Sequence, residues 1–432
     1  MTEFITRRNV FANSMLDNSM AIFPANEELT RSNDTEFRFR QNSDFYYLCG
    51  FNEPDACLLL IKQNGQLNTV LFNRKKDKTA EIWHGYRLGQ ADAIIQLEVD
   101  QAFPIDDFEE KLSELLTGIE SVYYPVLSGL VLDQKLQNVL NKLRSRSRSG
   151  LIAANQFLNW KPQIHEMRLF KSEAEKQIMR KAGEISALGH VRAMQRCKPG
   201  MIEFQLQLEV EYEFAKQGTR DVAYNSIVAG GNNACILHYT ENDQPLKDGD
   251  LVLIDAGAEY QGYAGDITRT FPVNGRFSKE QATIYQLVLD CQLLAIEQVK
   301  PGSSVLGINK LVVRKMCEGL LALGILQGDI ETLIKEDKHK AFYMHGLGHF
   351  IGLDVHDVGN AGTIDQPRPL EAGMAITIEP GLYISHDADV EERWKGIGIR
   401  IEDDVMVTDS GCEVLTSAVP KSILEIEALM NG

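Results

Sequence analysis

Gly249-Asp-Leu-Val-Leu-Ile-Asp255-Ala-Gly257 has a pattern that returns later in the chain as Gly373-Met-Ala-Ile-Thr-Ile-Glu379-Pro-Gly381. Each copy is a turn glycine, an apolar strand, a carboxylate six positions on and a glycine two beyond it. A second carboxylate follows each copy, Asp266 after the first and Glu402 after the other. The likeness also runs upstream. Ser172-Glu-Ala-Glu175 and Ser278-Lys-Glu-Gln281 both read as capping boxes, in which the Ser side chain accepts from an early helical N–H while the acidic or amide side chain reaches back. After the first box, Ile178, Ala182, Ile185 and Leu188 continue at helical spacing. Lys198-Pro-Gly200 and Lys300-Pro-Gly302 then stop the two helices. Self-similarity of this kind indicates an internal duplication in an α/β (α+β) unit, each half giving two strand carboxylates to a shared centre. The alternative is chance similarity between helix–strand units.

Outward from this unit, the 432-residue length suggests two domains. Residues 57–62 and 68–73 read as strands, and 106–118 and 134–143 as helices. Residues 160–169 read as the linker, which sets a smaller α/β domain at 1–165 and a catalytic one at 172–432. Arg144-Ser-Arg-Ser-Arg-Ser-Gly150 is a basic run that reads as a solvated loop, with contact to a partner as the alternative. The net charge of −17 repels phosphate backbones and anionic headgroups, so neither nucleic acid nor a membrane surface is an expected partner. Seven scattered cysteines without a C-x-x-C pair fit a reducing compartment, and no long apolar run forms a membrane span. Thr6-Arg7-Arg8 looks like a twin-arginine signal, but Asn13, Asp17 and Asn18 interrupt the apolar stretch that such a signal needs. A short amphipathic helix and a cytoplasmic location are expected instead.

The chemistry concentrates in three blocks. In the first, a hairpin turning at Tyr260–Gln261 would set Asp255 opposite Asp266. Two carboxylates that close repel each other, and one ending an apolar strand is costly if unpaired. A cation between them removes both problems; an Asp accepting backbone hydrogen bonds in a tight turn is the other reading, and the pair alone leaves both open. The second block, residues 344–357, holds three of the nine histidines, His345, His349 and His356. Gly346 and Gly348 argue against a helix, so this is not an H-E-x-x-H zinc site. Histidines beside glycines in a loop suit a ligand or an oxyanion partner that substrate approaches closely. The third block places Glu379 and Glu402 in apolar strand sequence. Four carboxylates and a histidine form an oxygen-rich set suited to Mn²⁺, Co²⁺ or Fe²⁺ rather than to structural zinc.

With these motifs the chain resembles the metal-dependent aminopeptidases of the pita-bread fold, and among them the bacterial-type aminopeptidases P of metallopeptidase family M24. The resemblance covers nearly the whole chain. It is densest in residues 235–242, 265–271 and 345–356 and in Glu379-Pro-Gly381. It implies a dinuclear centre, most simply of Mn²⁺, with Asp255, Asp266, His349, Glu379 and Glu402 as ligands and a bridging hydroxide that attacks the carbonyl before proline. Asp266 and Glu402 would bridge the ions. Glu379 would carry the proton from water to the prolyl nitrogen, and His356 would face the oxyanion. His238 and His345 would orient a peptide with an N-terminal Xaa-Pro, while Tyr383 and Arg400 would support the ligands; packing and a surface ion pair are the alternative for these two. The N-terminal part resembles the creatinase-like domain of these enzymes. Through it the family forms oligomers, here a tetramer or dimer, in which Trp83 would reach a neighbouring active site; a buried core Trp is the alternative. Rival readings are prolidase, limited to Xaa-Pro dipeptides, and a metal-free binding protein on the same scaffold. Methionine aminopeptidases normally lack the N-terminal domain.

Overall fold

The structure, a computed structural model, describes residues 3–126, 131–149 and 151–432. It divides into two compact units, Met1–Met167 and Arg168–Gly432. The boundary falls within residues 160–169, and Lys161–Leu169 is a helix. Trp160, just before it, is buried on Phe23 and donates its indole N–H to the Ile22 carbonyl at 3.0 Å.

The first unit is built on a six-stranded sheet. Its strands lie in the spatial order Gln101–Pro104, Gln66–Asn73, Cys57–Gln63, Ser19–Pro24, Ser121–Tyr123 and Gln156–Leu158. The two strands expected from sequence form its central hairpin, joined at Asn64–Gly65. Both turn residues have positive φ, 51° and 71°, as a tight primed turn requires. The apolar run Cys57–Ile61 is buried on both faces, so it shows no alternation. The helix expected over 106–118 starts as a 3₁₀ turn, Ile105–Asp107, and is α-helical only over Phe108–Leu115. The helix Val131–Ser145 contains the other expected segment. Arg144, Arg146 and Arg148 of the basic run are exposed, and Gly150 lies outside the described residues.

The N-terminal helix, Glu3–Ser14, is not simply amphipathic, because its buried face contains Arg7 and Arg8. Arg8 donates to the carbonyls of Leu48, Leu97 and Glu98, and Arg7 donates to that of Tyr47. The guanidinium groups satisfy buried carbonyls that would otherwise lack donors. No helix among the described residues is long and apolar enough to cross a membrane.

The second unit repeats itself. Helices Glu173–Arg196 and Glu203–Lys216 precede the antiparallel strands Ile227–Gly230, Leu251–Asp255 and Thr268–Pro272. Helices Lys279–Gln298 and Val305–Ala322 precede Ala375–Ile378, Asp403–Val407 and Cys412–Val414. Both capping boxes form with both reciprocal bonds. The turn glycines match in conformation as well as in sequence. Gly200 and Gly302 have φ of 90° and 88°, and Gly249 and Gly373 have 84° and 94°. One hydrophobic cluster, from Leu169 to Ile426, fills the unit, and the two carboxylate-bearing strands run through it.

The hairpin after Asp255 differs from its expected register. Tyr260 pairs with Tyr263, so the turn is Gln261–Gly262, with φ of 51° and 85°. A type I′ turn needs positive φ at both central positions, and Gly262 supplies the second without a Cβ penalty. Moving the turn by one residue moves the pairing by two: Asp255 lies opposite Thr268, not Asp266. Gly257 then packs so closely that a Cβ there would lie 1.6 Å from the Gly265 carbonyl oxygen.

Candidate metal centre

Asp255 ends its strand half-buried, and Asp266 follows Gly265 almost fully buried. Glu379 comes one residue after Ala375–Ile378, and Glu402 lies between the strands Ile397–Arg400 and Asp403–Val407. His349 reaches the same place because its loop runs beside Ala375–Ile378. Thr377 N–H donates to the His349 carbonyl at 2.9 Å, and Glu379 N–H donates to that of Leu347 at 2.8 Å. Gly348 permits this approach, since a Cβ there would lie 1.9 Å from the Thr377 carbonyl oxygen.

Asp266, His349 and Glu402 each present a ligand atom within 4.8 Å of the others. Glu379 Oε1 is 3.7 Å from His349 Nε2. Asp255 joins Asp266 through Tyr224, whose hydroxyl lies 2.5 Å from a carboxylate oxygen of each. All five line one cleft of about 460 Å³, together with His238, His345, His356 and Arg400. Trp83 is not part of this lining. It sits in the first unit on the helix Lys78–His84 and is 79% exposed, so the buried-core alternative for it is removed.

The electrostatics of the cluster describe a place short of positive charge. Burial, then repulsion from Asp266 and Glu379, pushes the Glu402 carboxyl well above its ordinary range. Burial also raises Asp266, and it lifts Glu379 to about 7 against the pull of Arg400. Burial alone would lower His349, but its hydrogen bond to Asp266 and the charges of Asp266 and Glu379 carry it to about 9. Carboxylates buried this close together raise one another's pKa, and a divalent ion among them would relieve the repulsion. The donor set fits a divalent ion in a second way. His349 Nδ1 lies 2.9 Å from the Phe350 carbonyl oxygen, which turns Nε2 toward the carboxylates, 3.6 Å from Asp266 and 3.7 Å from Glu379, where a bound ion would take the place of its proton.

Arg400 and Tyr383 are more than packing. Arg400, 4% exposed, donates to Asp255 Oδ2 at 2.6 Å, to the Tyr383 hydroxyl at 3.0 Å and to Thr268 Oγ1 at 3.0 Å. Thr268 Oγ1 donates in turn to Glu402 Oε2 at 2.6 Å. His345 Nδ1 meets the Gly346 carbonyl at 2.7 Å, so its Nε2 accepts from the Tyr383 hydroxyl at 2.7 Å. Burial and the Arg400 charge lower its pKa to about 4, which keeps the ring neutral. His356 is exposed to the cleft, with its ring 4.3 Å from that of His349.

Sequence reasoning missed Tyr224, Thr268, Asp404 and Glu203. Asp404 is buried and accepts from the Asp266 N–H at 2.9 Å. Its signal was available: three successive acids, Glu402 to Asp404, stand in an apolar strand. Thr268 would have followed from the correct turn position, which sets it across from Asp255. Glu203 is 1% exposed and accepts from Gly230 N–H, Asn233, Tyr239 and Gln244 N–H, so it ties down the loop that carries His238. Nothing local to Tyr224 or Glu203 distinguishes them from ordinary helix or loop residues.

Residues 177–409 match the model of metallopeptidase family M24, and residues 4–123 match that of the aminopeptidase P N-terminal domain. The Xaa-Pro aminopeptidase of Escherichia coli K12 is 51% identical over 99% of this chain and 97% of its own length. Proline aminopeptidase P II from Yersinia pestis superposes with a TM-score of 0.98 at 52% identity, over 100% of both chains. Zn-substituted E. coli aminopeptidase P in complex with product superposes with a TM-score of 0.97 at 50% identity, over 99% of this chain and 98% of that one.

Proposed function

The chain belongs to metallopeptidase family M24 and is a Xaa-Pro aminopeptidase with an aminopeptidase P N-terminal domain and a pita-bread catalytic unit, and we propose that its cleft works as a dinuclear centre. Asp255, Asp266, His349, Glu379 and Glu402 hold two divalent ions, Mn²⁺ in preference to zinc. The observation that carries this reading is the approach of Asp266, His349 and Glu402 to within 4.8 Å, with Asp255 and Glu379 on the same cleft wall. An all-carboxylate and imidazole set, without sulfur, supports a harder ion than structural zinc. When bound, such ions polarise a carbonyl oxygen and bring the pKa of a water toward neutrality.

The residues of the chain do the rest. Glu379 takes the water proton and returns it to the prolyl nitrogen, which must be protonated to leave. Its carboxylate lies between His349 and His345, at 3.7 and 3.9 Å, so it faces the cleft and not the core. His356 donates to the oxyanion from the cleft wall, where a fixed donor serves the developing charge without reorganising. His238 orients the peptide, and neutral His345, backed by Tyr383, forms a fixed wall beside it. Ile227, Leu237 and Val355 line the same cleft and offer an apolar surface to the pyrrolidine ring. Arg400 and Thr268 hold Asp255 and Glu402 in orientation.

Oligomer formation through the first unit is part of the same reading. Ile82, Trp83 and Tyr86 are 80%, 79% and 95% exposed, and the helix Lys78–His84 buries none of its residues. Such a cluster supports contact with a neighbouring copy, in a tetramer or dimer. Seven free cysteines, with Arg7 and Arg8 committed to the fold, support a reducing, cytoplasmic setting. The test is an assay on an Xaa-Pro-Xaa peptide after chelation, with Mn²⁺ or Zn²⁺ restored separately. Activity should vanish on chelation and return best with Mn²⁺. Recovery with zinc alone would refute the metal assignment, and hydrolysis confined to Xaa-Pro dipeptides would refute the substrate.

A further inference from the structure

His356 lies on a closed loop. His349 begins it, Asp357 N–H donates back to the Phe350 carbonyl at 2.8 Å, and Gly352 N–H donates to that of Asp354 at 3.0 Å. The carboxylate of Asp357, directly after His356, is 1% exposed and is held from both sides. Arg168 donates to its Oδ1 at 2.6 Å, and Lys171 donates to its Oδ2 at 3.0 Å. Arg168 also donates to Asp354 Oδ2 at 2.7 Å. The side chains of Arg168 and Lys171 are 2% and 1% exposed, so with Asp357 they form ion pairs taken almost entirely out of water, while Asp354 at their edge is 38% exposed. Gly352 leaves it room: a Cβ there would lie 2.2 Å from Asp357 Oδ2 and 3.0 Å from Lys171 Cε. Lys171 is anchored at its other end as well, because its N–H donates to the Gly373 carbonyl at 2.9 Å. Gly373 is the turn glycine two residues before the strand Ala375–Ile378, which leads to Glu379.

Buried ion pairs give back in attraction little more than they lose in desolvation, so their use lies in fixing geometry. We infer that Lys171, with Arg168, is a positioning residue that sets His356 against the strand leading to Glu379 by pinning Asp357. This rests on the reading of His356 as the oxyanion donor. Lys171 touches neither substrate nor ions; it acts through the loop. Its backbone N–H references the Glu379 strand and its ammonium references the His356 loop, so one side chain spans the two groups whose spacing the reaction needs. Small displacements of such groups slow chemistry strongly while leaving binding nearly intact.

The test is a double-mutant cycle on the Mn²⁺-loaded full chain, with metal content measured for each variant. Lys171→Met should lower kcat about tenfold with KM within about twofold, and Lys171→Arg should recover most of it. In the His356→Ala background, Lys171→Met should change kcat less than about twofold, because the group it positions is gone. Equal losses in both backgrounds would mark a general structural role and overturn the inference alone, as would an unchanged kcat in Lys171→Met. An undiminished kcat in His356→Ala would overturn the reading of His356 and the inference with it. Should near-ultraviolet circular dichroism show Lys171→Met unfolded, Asp357→Asn takes its place in the cycle with the same expectations.

Discussion

In the proposed mechanism Glu379 has two tasks that a single carboxylate can perform and its amide cannot: to ligate an ion and to carry a proton. In Glu379→Gln the side chain keeps its size and its place after the buried strand. Turnover on an Xaa-Pro-Xaa peptide should fall about a thousandfold while far-ultraviolet circular dichroism stays unchanged. Near-wild-type turnover would remove the role proposed for it. Thr268→Val probes the support behind the ligands. It deletes the hydroxyl that donates to Glu402 and accepts from Arg400. Mn²⁺ affinity, measured by calorimetric titration of the chelated protein, should weaken about tenfold or more, and an unaltered affinity would contradict the support. The five ligand candidates were legible in the sequence because each carries a local conflict, an acid closing an apolar strand or a histidine among glycines. Thr268 and Tyr224 carry none. Tyr224 matters only through contacts with segments distant in the chain, and Thr268 through a hairpin register that a one-residue error in the turn conceals.

At the scale of elements, the loop over residues 346–350 is shaped by its contact with the strand Ala375–Ile378. Gly348→Ala would drive a Cβ into the Thr377 carbonyl. The loop must then shift outward and take His349 with it. Stability should fall by roughly 1–3 kcal/mol, the usual range for overpacking, and Mn²⁺ affinity should drop with it. A variant with unchanged melting temperature and affinity would show that the loop has slack there. The hairpin after Asp255 illustrates how elements outrun sequence reading. Its existence was legible, but its centre fell one residue later because turn chemistry prefers glycine at the second turn position. The stretch read as the linker holds the boundary between the two units, and its helical form was not legible. Trp160 and the helix after it are ordered by a buried hydrogen bond to Ile22, a partner far away in the chain. Helix starts fared better, since capping boxes are local and both formed with every bond expected of them.

Across the whole molecule, the duplication legible in two nine-residue stretches reappears as matching helices, caps and turn conformations. The catalytic unit should also show an acid-sensitive stability. His190 is fully buried beside Arg269, Asp255 and Asp403, with Nε2 on the Ala256 carbonyl, and burial lowers its pKa to about 4. The unfolded chain takes up this proton near 6.5, so the folded state is favoured in full above that value. Stability is lost as pH falls from about 6.5 to 4, by roughly 3 kcal/mol, and levels off below. Denaturant midpoints of His190→Gln should therefore depend less on pH across that window than those of the wild type; parallel curves would rule the effect out. For association, sedimentation velocity should find an oligomer that Trp83→Asp weakens, and a wild-type monomer would exclude it.

The central claim is that five side chains, separated along the chain, gather two ions in one cleft. Anomalous diffraction from crystals grown with Mn²⁺ tests it directly. Two peaks are expected, ligated by Asp255, Asp266, His349, Glu379 and Glu402. Peaks confined to other sites, or none at the cleft with saturating Mn²⁺, would contradict it.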